Sequence, residues 1–296
     1  MENNLQVQRR PEWLRKKSGI PTNTNVDTIL KELELSTICR EARCPNQAEC
    51  YSLGTATFLI LGSKCTRNCK FCSVTKMAPE PPDPSEPSRV ATAVEWLGLK
   101  YAVITSPARD DLEDGGAQYF AETIHCLKSR LPDIKIEVLI PDFNGNTNSL
   151  ARVLDAEPDV LGHNIETIDE LYPSVRPCAD YKRSLRLLES AQRMKPQVVT
   201  KSGIMVGLGE TNEQVVQTLK DLHSAGVSIL TIGQYLKPAV GLHPVKRYVS
   251  PEEFEFLRSE ALHIGFRAVA SGPYARSSYR AHDMYKTAKE EIPSNE

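Results

Sequence analysis

The sequence predicts an α/β protein, built as a partial (β/α)6 TIM-type barrel with extensions at both termini. Three observations lead to this prediction: strand-like apolar runs recur along the chain, helical periodicities separate them, and about six such units fit between residues 57 and 270. Alternation of strands and helices indicates a parallel sheet with right-handed crossovers, either a barrel or a doubly wound sheet. The number of units favours the partial barrel.

The strand predictions rest on short apolar runs with helical patterns between them. These runs lie at 57–61, 101–105, 134–140, 159–161, 203–206, 227–232 and 268–270. Two helix starts are well marked, because Thr211 with Gln214 and Ser250 with Glu253 each have the spacing of a capping box. Pro251 stands at the first helical position of the second box, where proline is favoured.

Composition and charge exclude several classes of protein. The 296 residues are 40% hydrophobic and 25% charged, as in ordinary soluble proteins, and can form one large domain or two small ones. The net charge of −2 gives no basic field for nucleic acid. No apolar run approaches a membrane span, and the basic N-terminus lacks the apolar core of a signal peptide. We therefore predict a cytoplasmic protein with neither nucleic-acid nor membrane partners.

Six cysteines form two triads, Cys39-x4-Cys44-x5-Cys50 and Cys65-x3-Cys69-x2-Cys72. A [4Fe–4S] cube normally takes four cysteine ligands, so three thiolates hold a cube and leave one iron open. Structural zinc sites need four ligands, and no histidine lies near either triad in sequence. Disulfides are disfavoured in reducing compartments. Two iron–sulfur clusters are therefore favoured over zinc sites and disulfides.

The positions of the triads suggest how the chain is divided. The second triad follows the first predicted strand directly, so it lies in a strand-to-helix loop, and such loops form the active face of α/β barrels. The first triad precedes the barrel and must fold back over its mouth if the two clusters cooperate. We predict an N-terminal extension at 1–54 carrying the auxiliary cluster, a barrel at 55–270 and a C-terminal extension at 271–296.

The motifs resemble those of a known family. The second triad, with Phe71 just before its last cysteine, resembles the signature of the radical S-adenosylmethionine (SAM) superfamily. The two triads in this order are similar to those of the lipoyl synthases within it. Further similar segments lie at 109–116, 141–143, 163–164, 166–167, 171–172, 200–203, 205–211, 233–236 and 276–279. The likeness runs from about Pro11 to Ala281, and its departures (Glu113, Gly162 and Cys178) touch no expected ligand.

The resemblance implies a reaction. An octanoyl chain, amide-linked to a lysine of a carrier domain, receives sulfur at C6 and C8 and becomes lipoyl. These carbons are unactivated, so side-chain acids and bases cannot remove their hydrogens and a cofactor must supply the chemistry. SAM, bound at the cluster of Cys65, Cys69 and Cys72, would be cleaved to a hydrogen-abstracting radical. The auxiliary cluster of the first triad would donate sulfur and be consumed.

The resemblance also gives a role to the terminal segment Arg276–Tyr279 (RSSY). A serine of this segment would complete the auxiliary cluster, and we assign Ser278, with Ser277 as the alternative. An alkoxide is a harder and poorer match to iron in a sulfide cube than a thiolate, which suits a cluster built to be dismantled. Arg276 is a candidate for stabilising developing charge. The alternative interpretation is a polar surface turn.

Contacts to SAM are predicted at five further residues. Phe71 resembles the aromatic residue whose backbone contacts adenine. Asn164 and Glu166 follow the predicted strand at 159–161 and should point from the active face. Lys201 and Arg186 are candidates for the SAM carboxylate or ribose. For each of these, the alternative is an ordinary exposed polar residue near a strand end.

The resemblance implies three kinds of partner: octanoylated carriers (2-oxoacid dehydrogenase E2 and the glycine cleavage H protein), an electron donor such as flavodoxin or ferredoxin, and an iron–sulfur carrier that rebuilds the auxiliary cluster. Other functions remain open. One is a radical SAM enzyme with another product, such as a biotin-synthase-like or methylthio-inserting enzyme, against which the first triad and RSSY argue. An electron-transfer protein would need four ligands per cluster. A zinc-stabilised binding module would be separated by metal analysis.

Overall fold

The computed structural model describes residues 10–15 and 24–290. They contain one eight-stranded sheet in the order β1 to β8. The strands are β1 (Ser36–Thr37), β2 (Thr57–Leu59), β3 (Tyr101–Thr105), β4 (Lys135–Leu139), β5 (Val160–Gly162), β6 (Val199–Val206), β7 (Ile229–Gln234) and β8 (Ala268–Gly272). Strands β2 to β8 are parallel, and β1 pairs antiparallel with β2. No pairing in the described residues joins β8 to β1, so the barrel is partial, as predicted.

Helices connect the parallel strands. The helices are α1 (Asn25–Glu32), α2 (Ile38–Glu41), α3 (Gln47–Ser52), α4 (Glu86–Trp96), α5 (Ala117–Arg130), α6 (Thr147–Asp155), α7 (Tyr172–Val175), α8 (Tyr181–Met194), α9 (Asn212–Ser224), α10 (Pro251–Ile264) and α11 (Ala281–Glu290). Six connections run between consecutive parallel strands, through α4, α5, α6, the pair α7 and α8, α9, and α10. The count matches the six predicted units, with β8 as the strand that follows the sixth. None of the described helices is both long and apolar enough to cross a membrane.

Local sequence determines where the helices begin. Thr211 Oγ1 accepts from the backbone N–H of Gln214, whose side chain accepts from Thr211 N, so α9 starts with the predicted capping box. Ser250 and Glu253 form the same arrangement at α10, with Pro251 at its first position.

Strand β6 begins four residues before the predicted run at 203. The missed residues include polar Thr200, Lys201 and Ser202, which the sequence pattern does not mark as strand. All three are buried. Lys201 is neutralised by Glu137 of β4, with its Nζ 2.8 Å from Oε1, and this ion pair allows a charged residue inside the barrel.

Hydrogen bonds join the N-terminal and C-terminal segments across the open side of the sheet. Asn46 Nδ2 donates to the carbonyl of Tyr274 at 2.7 Å, and Tyr279 Oη donates to Glu49 Oε1 at 2.7 Å. Tyr274 Oη donates to the carbonyl of Leu14 at 2.7 Å. We call these three bonds the terminal clasp. It joins the N-terminal segments near edge strand β1 to the segment that follows the opposite edge strand, β8.

The predicted division into three parts remains a prediction. Strand β1 of the N-terminal extension joins the barrel sheet, and the expected boundary at 270/271 falls inside β8. Residues 1–9, 16–23 and 291–296, which belong to the two extensions, lie outside the described residues.

Candidate active site

Five of the six triad cysteines line one cavity of about 580 Å³: Cys39, Cys44, Cys65, Cys69 and Cys72. The sixth, Cys50, lines an adjoining cavity of about 500 Å³. Both cavities share a wall that includes Cys39, Cys44, Arg276 and Ser278. The structure therefore brings the two triads and the C-terminal segment together, although they are far apart in sequence.

The chemistry of the triads fits cubane clusters. All eight cysteines are free thiols, and in the described residues no three His, Cys, Asp or Glu side chains converge closely enough for a single metal ion. A [4Fe–4S] cube takes one thiolate at each iron, so its ligands need not meet at one point. Burial, and then the charges of Cys69 and Cys65, raise the pKa of Cys72 to about 12. Thiolates at this position need a positively charged group beside them, which a cluster supplies.

Arg67 fixes the loop that carries the second triad. This buried residue lies between Cys65 and Cys69, and its guanidinium binds Asp110 through Nε at 2.8 Å and Nη2 at 2.7 Å. Nη2 also lies 2.6 Å from Oδ1 of Asp142, which is fully buried. The loop is thus tied to the segments that follow β3 and β4. Sequence reasoning missed Arg67, although both of its carboxylate partners lie in segments that resemble family motifs.

We predict that Arg67→Met destabilises this loop and lowers iron occupancy. Removing the guanidinium leaves Asp142 buried with Arg183 as its remaining cationic partner, at 2.7 Å, and breaking a buried ion pair costs about 3–5 kcal/mol. Urea unfolding and iron content after reconstitution measure the effect. Arg67→Lys keeps the charge but loses the two-point contact to Asp110, so it should lose less. Unchanged stability and iron content in Arg67→Met would contradict this role.

Glu166 and Arg176 both lie in the cavity wall, near enough for their charges to influence each other. Glu166 has φ of 68°, a conformation that is uncommon outside glycine. It is held there because its N–H donates to Gly203 O at 3.0 Å and its carbonyl accepts from Met205 N at 2.9 Å. Burial raises the pKa of Glu166, and Arg176 opposes this shift. Arg176 Nη1 donates to the carbonyl of Asn164 at 3.0 Å. Glu166 and Asn164 therefore lie where predicted, whereas Arg176 was not predicted.

Ser106 offers a further polar group to a ligand. It follows β3, and its buried hydroxyl lines the cavity without a hydrogen-bond partner in residues 10–15 and 24–290. Buried polar atoms are normally hydrogen-bonded, so this hydroxyl fits a polar ligand in the cavity. Together with Glu166 and Arg176, it gives the cavity donors and acceptors suited to a zwitterion such as SAM.

The two serines of the RSSY segment have different surroundings. Ser277 Oγ donates to Asn164 Oδ1 at 2.9 Å. Gly203 permits this contact, because a Cβ there would lie 3.0 Å from Asn164 Oδ1 and 3.1 Å from Ser277 Oγ. Ser278 lines both cavities, while Ser277 lines only the larger one. Ser278 therefore lines a cavity together with all three cysteines of the first triad, whereas Ser277 does not.

Arg276 lies in the wall that separates the cavities. Its Nη1 donates to the carbonyls of Ala275 at 2.6 Å and Pro273 at 3.3 Å. Burial lowers the pKa of Arg276, against the attraction of the Cys44 thiolate. The segment packs on β7 at Gly233, where a Cβ would lie 2.3 Å from Ala275 O. The absence of a side chain at Gly233 therefore allows RSSY to approach the cavity.

Of the three other residues that were predicted to contact SAM, one lines the cavity and two do not. Phe71 lines the cavity, as expected for a residue beside the ligand. Lys201 does not line the cavity, because Glu137 engages its Nζ inside the barrel. Arg186 lies on α8 with 65% of its side chain exposed, facing Asp180 at 3.9 Å. The structure therefore corrects the expected SAM contacts at Lys201 and Arg186.

His163 is expected to make stability dependent on pH. It is buried, with Nδ1 2.8 Å from Ile140 O and Nε2 3.0 Å from Ser184 Oγ. Burial, and then the charge of Arg176, lower the pKa of His163 to about 4 from 6.5. The unfolded chain binds this proton first, so the free energy of unfolding should fall by up to about 3 kcal/mol as pH drops from 6.5 to 4.

Urea midpoints at pH 7.5 and 4.5 measure this dependence of stability on His163. The variant His163→Gln carries no titrating group at this position, so its midpoint should change less between the two pH values. An equal change in the wild type and the variant would contradict the prediction.

The fold, with a cysteine triad in the loop after the first parallel strand, defines a radical SAM protein. The Radical SAM superfamily profile matches residues 59–222. Crystal structures of methylornithine synthase (PylB) and of Streptococcus suis SuiB bound to S-adenosylmethionine share this fold, each with a TM-score of 0.55, at 14% and 12% identity. The first match covers 87% of both chains, and the second covers 76% of this chain and 53% of SuiB.

Sequence relatives identify the family within this superfamily. The lipoyl synthase of Alkaliphilus metalliredigens is 52% identical over 97% of this chain and 99% of its own length. That of Geobacter metallireducens is 52% identical over 94% of this chain and 98% of its own length. The chain belongs to the lipoyl synthase family, and is therefore a radical SAM enzyme of lipoate biosynthesis.

Proposed function

We propose that this enzyme inserts sulfur at C6 and C8 of a protein-bound octanoyl-lysine, and that its auxiliary cluster is the sulfur donor. The observation that carries the proposal is the shared wall of the two cavities. Cys39 and Cys44 of the first triad lie there with Arg276 and Ser278, and the three cysteines of the second triad line the larger cavity on one side of it. A substrate in the larger cavity would reach both triads without leaving the protein.

Two sets of ligands fit two clusters. Cys65, Cys69 and Cys72 would hold the SAM-binding [4Fe–4S] cluster, and Cys39, Cys44, Cys50 and Ser278 would hold the auxiliary one. When bound, the first cluster supplies the electron that splits SAM into a hydrogen-abstracting radical, and the second supplies sulfur. The assignment of Ser278 is supported by its position in both cavities and by the engagement of Ser277 with Asn164.

The protein's own residues would position SAM. Glu166 offers a carboxylate to the SAM ammonium, and Arg176 and Ser106 offer donors to its carboxylate. Phe71 and Asn164 remain proposed contacts as well, and Phe71 packs in an apolar cluster with Tyr235 and Val175 that fixes its ring. Preorganised groups of this kind hold the reacting atoms together and exclude water.

The octanoyl chain would occupy the apolar part of the same cavity. Leu139, Ile140 and Met205 line it, together with Val103 and Pro107. Such a lining suits an unbranched acyl chain, because burying each methylene group stabilises the complex by about 0.8 kcal/mol. Arg276, in the wall between the cavities, would stabilise negative charge that develops as the sulfur leaves the auxiliary site.

The proposed partners are those expected from the sequence: octanoylated carrier domains, a flavodoxin or ferredoxin, and an iron–sulfur carrier. We place the enzyme in the cytoplasm, where reducing conditions keep the six ligand thiols free.

Anaerobic reconstitution tests the proposed function. Iron and sulfide analysis should give about eight of each per chain, in two cubes. SAM, a low-potential reductant such as dithionite and an octanoyl-lysyl peptide are then added, and mass spectrometry should detect a product with two additional sulfur atoms. A protein that is active with zinc alone, or with a single cube, would contradict the two-cluster proposal.

A further inference from the structure

The mouth of the larger cavity carries a group of exposed cations. Arg10, Arg43, Lys76 and Lys237 are all exposed and line the cavity. Glu137 and Glu166 are the carboxylates among the lining residues; the first is buried and the second half-buried. We call these four cations the basic rim. It lies on a chain with a net charge of −2, so it is a local feature and not an overall basic character.

Most of the basic rim forms no ion pair with carboxylates of the described residues. Within the described chain, Arg43, Lys76 and Lys237 make no ion pair. Arg43 Nη1 donates to the carbonyl of Pro238 at 3.3 Å, which places its guanidinium beside the segment that carries Lys237. Like charges held side by side repel each other, and an anionic partner would relieve this repulsion.

Exposed apolar side chains accompany the cations. Met77, 60% exposed, follows Lys76, and Val240, 99% exposed, lies three residues after Lys237. Trp13 is also partly exposed, three residues after Arg10. Apolar side chains among arginines and other polar groups are typical of protein interfaces. Without these four cations the net charge would fall from −2 to −6, so the chain as a whole does not favour RNA.

We propose that the basic rim is the docking surface for the carrier protein, and that it binds an acidic patch around the carrier's octanoylated lysine. This inference deepens the proposed function and rests on it. An acyl chain on a folded carrier enters the cavity only if the carrier's surface lies against the mouth. The residues at the mouth therefore meet the carrier, and their charge selects carboxylates. Complementary charge of this kind raises association rates and is screened by salt.

Charge reversal at two rim positions tests the proposal. The variant Lys76→Glu/Lys237→Glu is compared with Lys182→Glu/Lys220→Glu, which makes the same change in net charge at exposed positions of the outer helices α8 and α9. Three probes are used: an octanoylated carrier domain with carboxylates around its lysine, the same domain with these carboxylates changed to amides, and an octanoyl-lysyl tripeptide. We expect the rim variant to lose at least about tenfold in kcat/KM for the acidic carrier relative to the tripeptide.

The control variant, the amide carrier and the salt concentration each give a further expected result. The control variant should retain its ratio of carrier to tripeptide kcat/KM, and the amide carrier should bring wild type and rim variant close together. Raising the salt concentration should lower the wild-type kcat/KM for the acidic carrier only. An equal loss with the tripeptide, an equal loss in the control variant, or no loss with the carrier would overturn the proposal. So would a rim variant that loses binding to RNA or to anionic vesicles but not to the carrier.

The two proposals fail separately. If the wild type adds no sulfur to the tripeptide, the proposed function is wrong. Calorimetric binding of the acidic carrier without SAM then still tests docking, because the rim variant should bind at least about tenfold more weakly than the control variant. If sulfur is added normally and the rim variant binds the carrier as the wild type does, the docking inference alone is wrong.

Discussion

Cys69→Ala is expected to abolish 5′-deoxyadenosine formation, whereas Cys44→Ala should leave it measurable and abolish only sulfur insertion. The two cysteines line the same cavity, but Cys69 belongs to the triad in the loop after the first parallel strand. Without its thiolate, the open-iron site proposed to bind SAM cannot form. Cys44 belongs to the triad that the second cavity also contacts, so its loss should remove the sulfur source and not the SAM site.

The two outcomes are read separately by chromatography of the nucleoside and mass spectrometry of the octanoyl-lysyl peptide. Cys178→Ala is a suitable control, because this exposed cysteine lies outside both triads and neither cavity contacts it. Lipoyl product from Cys44→Ala would rule out the auxiliary cluster as donor. Loss of nucleoside in both triad variants would show instead that one site cannot form without the other.

Ser278→Ala is expected to keep SAM cleavage, lose sulfur insertion and make the auxiliary cluster labile. A serine that only capped a surface turn would cost a few tenths to about 1 kcal/mol of stability and leave activity unchanged. Ser277→Ala is the matched control, because its hydroxyl binds Asn164 at 2.9 Å. Iron content and product mass distinguish the two serines. Normal lipoyl yield in Ser278→Ala would transfer the assignment to Ser277, and full activity in both variants would exclude serine ligation.

Ser278→Cys separates ligation from sulfur donation. A softer thiolate should hold the auxiliary cluster more firmly than an alkoxide. Iron content should therefore stay near wild type while sulfur insertion falls. An Ser278→Cys variant that inserts sulfur at the wild-type rate would show that ease of release at this position does not limit the reaction.

The sequence predicted the fold well because its signals are local. Capping residues such as Thr211 and Ser250 act within one turn, and apolar runs mark buried strands without knowledge of their neighbours. Strand β6 was predicted too short, because Lys201 is buried only through an ion pair with a residue 64 positions away. The local pattern of hydrophobicity gives no information about an ion-pair partner so far away in sequence.

In the candidate site too, features with a local sequence signal could be predicted, whereas features that depend on distant partners could not. The triads and the RSSY segment have characteristic spacing or composition, so they could be recognised from the sequence alone. Arg176 and Ser106 gain their positions only when strands and loops meet around the cavity, and no motif marks them. Lys201 and Arg186 were predicted as candidates for the SAM carboxylate or ribose, but charge alone does not determine whether a side chain points into a barrel or away from it.

The terminal clasp has a consequence for biosynthesis. The triad of Cys39, Cys44 and Cys50 is translated early, while Tyr274, Ser278 and Tyr279 follow more than 200 residues later. At about 5–20 residues per second, roughly 10–40 s pass between the two events. During this interval the C-terminal segment that bonds to Asn46 and Glu49 in the folded protein does not yet exist. The chain leaving the ribosome thus carries Cys39, Cys44 and Cys50 before the C-terminal segment is made, and the proposed auxiliary site can be complete only when synthesis is nearly finished.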